Sequence, residues 1–449
     1  MRPTDIRIKA VEVQTELITY RTPIKFGGRV VVDALIFNVT LDVETRSGLL
    51  GRGFGSMPLA NAWAWPSALV DGERALAAML EFAQQAARRA AEQPITAHPL
   101  EYTHLLAQGY PEIARSIERS FQLAEPIPVL AQLVAASPVE AAIHDAFGRA
   151  LGANAYDLLG PDYVSQDLGH YLGADFAGEY LDRYTSRQPK PQMPLYHLVG
   201  ALDPLSSADV KTPVGDGLPE TLGEWIGYNG LTHLKIKLAG DNLDWDVARV
   251  AEVNRVSEEA QERRGCSTWH YSLDFNEKCA NVQYVLDFLE QLRVRTPRAL
   301  DRVQYIEQPT HRDLKRFPEN RMHAAARIKP VVIDESLIDF ESLLLAREQG
   351  YSGVALKACK GHSEALLMGA AAQKYGLFLC VQDLTCVGYS FLHSASIAAR
   401  IPTIAAIEGN GRQYCPAGNK GWEERFPAMF QITAGTVGTA ALSGPGLGF

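Results

Sequence analysis

Hydrophobic and polar residues alternate along residues 6–19 (IRIKAVEVQTELIT), the period-two pattern of a strand with one buried face. Residues 31–43 (VVDALIFNVTLDV) read as a second strand, and 48–55 as a turn leading into a third. The spacing then changes. Residues 74–92 (RALAAMLEFAQQAARRAAE) are rich in Ala and Leu and predict a helix. Another helix is expected to begin at Ser137-Pro138, where Ser can cap and Pro suits the first helical position, and to stop near Gly152. Strands followed by helices predict an α+β domain over residues 1–160.

Residues 161–222 hold many Gly, Pro, Asp and Tyr residues and little periodicity. Within them MPLYHLVGAL (193–202) offers a strand, and DPLSSADVKTPVGDGLPE looks like a loop insertion, either covering a substrate or lying on the surface. From Leu231 the pattern is regular: LTHLKIKL, HYSLDF, VQYIEQP, KPVVIDES, SGVALKA, LFLCVQD and TIAAIE read as strands, with helical stretches between them. That alternation implies parallel strands with helical crossovers. An open sheet would tend to show a Gly-rich phosphate loop after its first strand, and none is present. The fold class expected is α/β: a (β/α)7β TIM-like barrel over 161–425 behind an N-terminal α+β capping domain. Residues 426–449 are expected to pack back on that domain.

Composition narrows the partners. Lys+Arg 43 against Asp+Glu 52 gives a formal net charge of −9, which argues against nucleic acid or an anionic membrane as partner. The six cysteines form no C-x-x-C pair, so a structural zinc site is not expected, and reduced, buried thiols in a cytoplasmic protein are. The charged start MRPTDIRIKAVEVQTE lacks the apolar core of a signal peptide, and no apolar stretch is long enough to span a bilayer.

Five short motifs end successive strands: Lys235-Ile236-Lys237, Asp274-Phe275-Asn276, Glu307-Gln308-Pro309, Asp334-Glu335-Ser336 and Lys357-Ala358-Cys359-Lys360. In a parallel barrel the C-terminal strand ends share one mouth. Asp274, Glu307 and Asp334 would converge there and repel one another, a conflict that a hard divalent cation removes. An all-oxygen donor set favours Mg2+, with Mn2+ as the alternative. For any one of these acids, capping a helix or pairing with a cation would be the plainer explanation. Lys235 and Lys237, two apart on a strand, face the same way. Facing inward, each would raise the cost of protonating the other, so their pKa values are expected to fall toward that of a useful base. Lys357 lies across the presumed metal site; alone, it would read as a lysine snorkelling from a strand end.

With these motifs the chain resembles the enolase superfamily, and most closely its muconate lactonizing enzyme-like subgroup within the mandelate racemase/muconate lactonizing enzyme family. The stretch VEAAIHDAFGRALGANAYDLLG also resembles that family's helix leading into the barrel. The resemblance implies that Asp274, Glu307 and Asp334 hold Mg2+. It implies that Lys237 and Lys357 are an acid/base pair with Lys235 tuning Lys237, and that Asn276 and Glu335 support them. It implies removal of a proton next to a carboxylate through an enediolate. Racemisation, epimerisation or cycloisomerisation of a small carboxylate would follow, in a homo-oligomer.

The sequence departs from the family pattern in two places. The sixth barrel strand runs into Lys360-Gly361-His362-Ser363 where the subgroup has a Gly-Gly pair. The eighth ends Glu408-Gly409-Asn410-Gly411-Arg412, without the acidic pair of dipeptide epimerases. The seventh strand ends Gln382-Asp383 with no His, unlike the mandelate racemase subgroup, and His393, a helix later, reads as structural. In the capping domain, Arg21-Thr22-Pro23-Ile24-Lys25-Phe26-Gly27-Gly28-Arg29 offers three cations and two glycines, which suits either a lid meeting an anionic substrate or a solvated loop. Lys25, Asp383, Glu408 and Arg412 are candidate substrate contacts, though helix caps or core ion pairs would explain the last three equally well. Acid-sugar dehydration is the main alternative reaction. A metal-dependent hydrolase or phosphatase would want His ligands or a bridging carboxylate, and the strand ends offer neither; a barrel that only binds a ligand would be expected to lack one of these lysines or acids.

Overall fold

A computed structural model of the chain describes residues 2–26 and 29–449. Gly27 and Gly28, the glycine pair in the expected lid, lie outside the described residues. Three antiparallel strands open the chain in the order β1 (Ile6–Phe26), β2 (Arg29–Thr45) and β3 (Leu50–Pro58). The segment read as a loop is the far end of a β-hairpin, in which Ile24 pairs with Val31 and Lys25 with Val30. The pairing is interrupted between Thr19 and Ile24 and resumes at the tip, where β-branched Ile24, Val30 and Val31 favour extended backbone.

Two long helices cover this sheet, α1 (Gly72–Glu92) and α2 (Val129–Ala150). The expected start of the second helix is corrected: α2 begins at Val129, and Pro138 lies inside it. An internal proline leaves the carbonyl four residues back without its donor. Here the Ser137 hydroxyl donates to that carbonyl, Val134 O, at 2.9 Å. The apolar run VLAQLVAA then favours continuing the helix through the proline. Gly51, Gly53 and Gly55 of β3 lie against α2 so closely that a Cβ on each would meet the carbonyls of Ala146, Ala142 and Pro138 at 2.3, 2.3 and 1.9 Å. Two strand residues and one helical turn advance by similar distances, so the alternate glycines track the helix.

Eight parallel strands close the barrel: β4 (Met193–Val199), β5 (His233–Lys237), β6 (His270–Asp274), β7 (Val303–Glu307), β8 (Val331–Ile333), β9 (Gly353–Leu356), β10 (Phe378–Val381) and β11 (Ile407–Glu408). Strand β11 pairs with β4, completing the ring, and β12 (Thr436–Val437) adds antiparallel to β4. The crossovers include α3 (Leu243–Arg263), α4 (Val282–Arg295), α5 (Phe340–Glu348), α6 (His362–Lys374) and α7 (Tyr389–Arg400). The chain end lies against α2: Leu447 N donates to Asp145 at 3.0 Å, and Arg149 donates to the Phe449 carbonyl at 2.5 Å. Five cysteines are buried, Cys266 is half-buried, and all six are free thiols. Among the described residues no helix is long and apolar enough to cross a membrane.

Candidate active site

The strand register brings the motifs together. Lys237 is opposite Asp274, Asp274 opposite Glu307, and Glu307 opposite Val332, two residues before Asp334. Beneath them Tyr196, Tyr305, Val332, Ala355, Cys380 and Ala406 form an apolar floor inside the barrel. The mouth therefore rests on packed side chains, as a closed barrel of this size requires.

Lys235 lies at the centre of the cluster. Its Nζ is 2.8 Å from Glu307 Oε2, 2.9 Å from Glu408 Oε2 and 3.1 Å from Asp274 Oδ2, and it also donates to Gln382 Oε1. Lys237 donates to Asp274 Oδ2 and to Asn276 Oδ1, the latter at 2.8 Å. Asp274 Oδ1 accepts from Asn276 N at 2.8 Å, a tight local turn that ends the strand. Lys357 Nζ is 2.8 Å from Asp334 Oδ2. Lys360 donates to the Asp334 carbonyl and lies 3.1 Å from its Oδ1. Lys360 was not among the candidates. It lies at the end of a single 3-10 turn, Ala358–Lys360, and residues three apart on that helix eclipse one another. The K-x-x-K spacing was therefore the available signal.

Four lysines (Lys235, Lys237, Lys357, Lys360) thus face five carboxylates (Asp274, Glu307, Asp334, Glu335, Glu408), nearly all out of water. Burial would raise Asp274, yet Lys237 and Lys235 hold it at about 2. Asp334 is lowered for the same reason, by Lys357 and Lys360 against burial. Glu307 goes the other way. Burial and its neighbours Asp274 and Asp334 raise it well above the carboxylate range, and Lys235 does not compensate. Glu335 is pushed up to about 7 by burial and by Asp334. The expectation of a depressed lysine is corrected for Lys235, and Lys357, for which none was made, shifts the same way. Burial lowers both, but the surrounding carboxylates outweigh it and raise them, Lys235 through Glu307 and Lys357 through Asp334. The carboxylates outnumber the cations, so attraction exceeds lysine–lysine repulsion.

The donor set suits a hard divalent cation. Glu307 Oε2, Asp334 Oδ2 and Glu335 Oε2 are buried without a hydrogen bond, although the first two lie within ion-pair reach of Lys235 and Lys357. Surplus negative charge and unsatisfied oxygens are what such a cation would meet. The side chains turn toward their lysines, and among the described residues no three acids converge in a metal-holding arrangement.

The capping domain contributes a residue that the sequence did not flag. Trp63, in the short helix Asn61–Ala64, lies over Lys357, with Nζ 4.1 Å from its ring centre, and donates from Nε1 to Glu335 Oε1 at 2.9 Å. Arg312, paired with Glu277 at 2.5 Å, donates to the Trp63 carbonyl at 3.0 Å and to that of Ala64 at 3.3 Å. Glu335 also receives Asn276 Nδ2 at 3.4 Å. Lys237 and Lys357 are therefore linked through Asn276, Glu335 and Trp63. The mouth also holds uncommon backbone: Asn276, Glu277, Gln308 and Thr385 all have positive φ. Gln308 uses its side-chain oxygen to accept from Asp334 N at 2.9 Å and Ser336 N at 3.2 Å, which sets the loop carrying Asp334. Strained residues concentrated at strand ends are a common mark of a working site.

The remaining candidates separate. Lys25 lines a cavity of about 460 Å3 together with Lys237, Asn276, Leu202, Trp245 and Lys278. Glu408 faces inward as a partner of Lys235. Asp383 spends its oxygens on the backbone N–H groups of Leu384, Cys386 and Asn410, tying together the ends of β10 and β11; burial and Glu408 push it up to about 6. Arg412 is half-buried and turned to other partners, donating to Asn229 at 2.6 Å and to His197 at 2.7 Å. Arg21 pairs with Asp216 at 2.5 Å and donates to the carbonyls of Leu218 and Pro219, so it fastens the insertion to the hairpin. Arg29 donates to the Ser67 carbonyl. Of the three hairpin cations, Lys25 is the one at the cavity.

Residues 218–449 match the family model described as Enolase C-terminal domain-like. No curated protein matches the chain in sequence. Among solved structures, a dipeptide epimerase from Enterococcus faecalis V583, complexed with Mg and the dipeptide L-Leu-L-Tyr, aligns with a TM-score of 0.63 at 17% identity, covering 98% of this chain and 99% of that one. An N-succinyl Arg/Lys racemase from Bacillus cereus ATCC 14579 aligns at 0.62 and 16% identity, over 98% of this chain and 95% of that one. A mandelate racemase/muconate lactonizing protein from Herpetosiphon aurantiacus aligns at 0.57 and 19%, over 92% and 90%. At such identities the likeness establishes the fold: a parallel barrel with an antiparallel capping sheet.

Proposed function

We propose that this chain, which belongs to the enolase superfamily through its enolase C-terminal domain-like region, is an enzyme that removes the proton α to the carboxylate of a small substrate and forms an enediolate. The observation that carries this reading is the single buried cluster in which Lys235, Lys237 and Lys357 meet Asp274, Glu307 and Asp334. Asp274, Glu307 and Asp334 would hold Mg2+, or Mn2+, which when bound stabilises the charge that builds on the substrate carboxylate. Lys237, lining the cavity, takes the proton at its Nζ, and Asn276 orients that amine through its 2.8 Å hydrogen bond. Lys357 stands across the cluster as the second member of the acid/base pair. Lys235 spans Asp274, Glu307 and Glu408 and keeps the carboxylates apart. Lys25, Lys237 and Lys278 outnumber the one acid, Asp241, on the cavity lining, which suits an anionic substrate. Racemisation, epimerisation and cycloisomerisation all start from this step.

The test is deuterium wash-in from D2O with Mg2+ across α-substituted carboxylates, including N-acyl amino acids, dipeptides and acid sugars. Wild type is compared with Lys237→Ala and Lys357→Ala. Exchange that a lysine change abolishes is the expected result and identifies the substrate class. Mg2+ binding with no exchange into any member would leave a binding barrel. Failure to bind Mg2+ would remove the basis of the reading.

A further inference from the structure

Arg412, which the sequence offered as a substrate contact, lies outside the barrel wall. It bonds His197 of β4. Tyr196, the preceding residue, belongs to the floor inside the barrel, so His197 points outward, and its ring packs on Trp225 at 5.5 Å. Trp225 belongs to the helix Leu222–Asn229, which follows β4. The Arg412 guanidinium lies 4.9 Å from the centre of the Trp225 ring.

The hydrogen-bond partners of this cation are neutral. Nη1 donates to Asn229 Oδ1 at 2.6 Å, and Nη2 donates to His197 Nδ1 at 2.7 Å. Burial and Arg412 itself hold His197 far below the imidazole range, so its ring is uncharged and can accept. Nε is out of water without a hydrogen bond. An arginine carries five N–H donors, so much of this one's capacity is unused. Burial pulls the guanidinium down to about 9, opposed by the phenols of Tyr228 and Tyr414, and among the described residues no carboxylate pairs with it. Other arginines held in the fold differ. Arg312 pairs with Glu277, and Arg400 donates to the carbonyls of Ser186, Arg187 and Leu442. A charge taken out of water is normally paired, and Arg412 is an exception.

The same residue lines a cavity of about 410 Å3 whose walls include Trp225, Tyr228, Phe430 and Ile432, with Glu423 as its one acid. The Trp225 and Tyr228 rings meet edge to face at 6.0 Å, and Tyr228 is 62% exposed, an aromatic ring left in water at the rim. No residue is shared with the cavity at Lys237. Apolar walls with one convergent charge, at this volume, are the anatomy of a small-molecule pocket. One guanidinium balances one carboxylate, and Glu423 disfavours an anion of higher charge.

We propose that this flank cavity is a second ligand site, separate from the barrel mouth, which binds a small aromatic monocarboxylate with its carboxylate on Arg412 and its ring against Trp225, Tyr228 and Phe430. The bound anion supplies the counter-charge that the fold withholds from Arg412, through charge-assisted hydrogen bonds to its unused donors. Its ring covers the Tyr228 face that otherwise meets water. The site stands whether or not the mouth performs enolisation, because the two share no residue.

Calorimetric titration of phenylacetate into the full chain, without Mg2+, tests this. Wild type should bind it at one site. Arg412→Gln should weaken binding by about 10- to 100-fold, the worth of one charged hydrogen-bonded contact. Tyr228→Ala alters an exposed ring, so the fold is kept, and should weaken binding by about 3- to 10-fold. Phenylacetamide keeps the ring and loses the charge. It should bind wild type as weakly as phenylacetate binds Arg412→Gln, a comparison that needs no variant to fold. Lys237→Ala, at the other cavity, should leave the affinity for phenylacetate unchanged. The site is overturned by wild type that does not bind phenylacetate, by equal binding of the amide, or by binding that Lys237→Ala removes and Tyr228→Ala does not. Tighter binding of inorganic phosphate, or of an acetylated tripeptide ending in phenylalanine, overturns the assignment to a small free acid.

Discussion

Two buried polar clusters in this chain are built in opposite ways. At the barrel mouth, lysines and carboxylates are packed together, with Lys235 alone contacting Glu307, Glu408 and Asp274. At the joint between α2 and α6, the groups are neutral. His144 bonds Ser363 at 2.8 Å, Ser363 bonds Thr103 at 2.7 Å, and His362 bonds His393 at 3.0 Å. Burial holds His144 and His362 well below the usual imidazole range, and His393 at about 3. Glu140 reaches the backbone of His362 and Ser363, and burial pushes its carboxyl up to about 8. Buried polar groups that only join two domains thus lose their charge. At the mouth Asp274, Asp334, Lys235 and Lys357 are shifted toward their charged forms because opposite charges face one another, while Glu307 and Glu335, next to other acids, are shifted the other way.

The sharpest break of this comparison is Asp334→Ala. It strands Lys357 and Lys360 without their carboxylate, and removing one partner of a buried ion pair costs about 3–5 kcal/mol. Urea denaturation should show that loss. Next, Mg2+ should stabilise the wild type by about 2.7 kcal/mol at a hundredfold excess over its dissociation constant, and Glu307→Gln should remove much of the effect, read as a shift in Tm. A wild-type Tm indifferent to Mg2+ would mean that the carboxylates serve only their lysines.

The joint should respond to pH instead. Glu140 has a folded pKa raised to about 8 from 4.5, so its contribution is fully present below 4.5 and is lost as pH rises toward 8. Glu140→Gln mimics the protonated acid. It should match wild type near pH 5 and gain on it by about 1.4 kcal/mol per pH unit toward pH 8. Denaturation curves at pH 5, 6.5 and 8 check this, and a constant difference would show that Glu140 is charged. Smallest, Ser137→Ala removes the donor to Val134 O and should cost about 1 kcal/mol, with Mg2+ response and pH profile unchanged.

Much of the architecture was legible because it repeats. Period-two strands alternating with helices predict a parallel barrel whatever the contacts turn out to be, and the five motifs fall at strand ends. The start of α2 was misread because Ser-Pro is a strong local start signal. The hydroxyl that repairs the proline gap becomes visible only once the helix exists. Lys360-Gly361-His362-Ser363 looked like a departure from the family pattern. In the structure Gly361, at φ +105, has no room for a side chain because the Glu140 carboxylate is 2.6 Å from where its Cβ would be, and the next two residues head α6 into the joint.

The sequence by itself determined which residues end the barrel strands and the chemistry of their side chains, since both follow from periodicity along a single segment. Only the tertiary structure decided their charge states and partners. Lys235 is raised rather than depressed because four carboxylates from other strands surround it, and burial depends on neighbours far away in the chain. Trp63 lies over Lys357 across 294 positions (357 − 63). No local pattern specifies such a contact. It exists because the capping sheet docks on the barrel mouth and Arg312 holds that short helix in place.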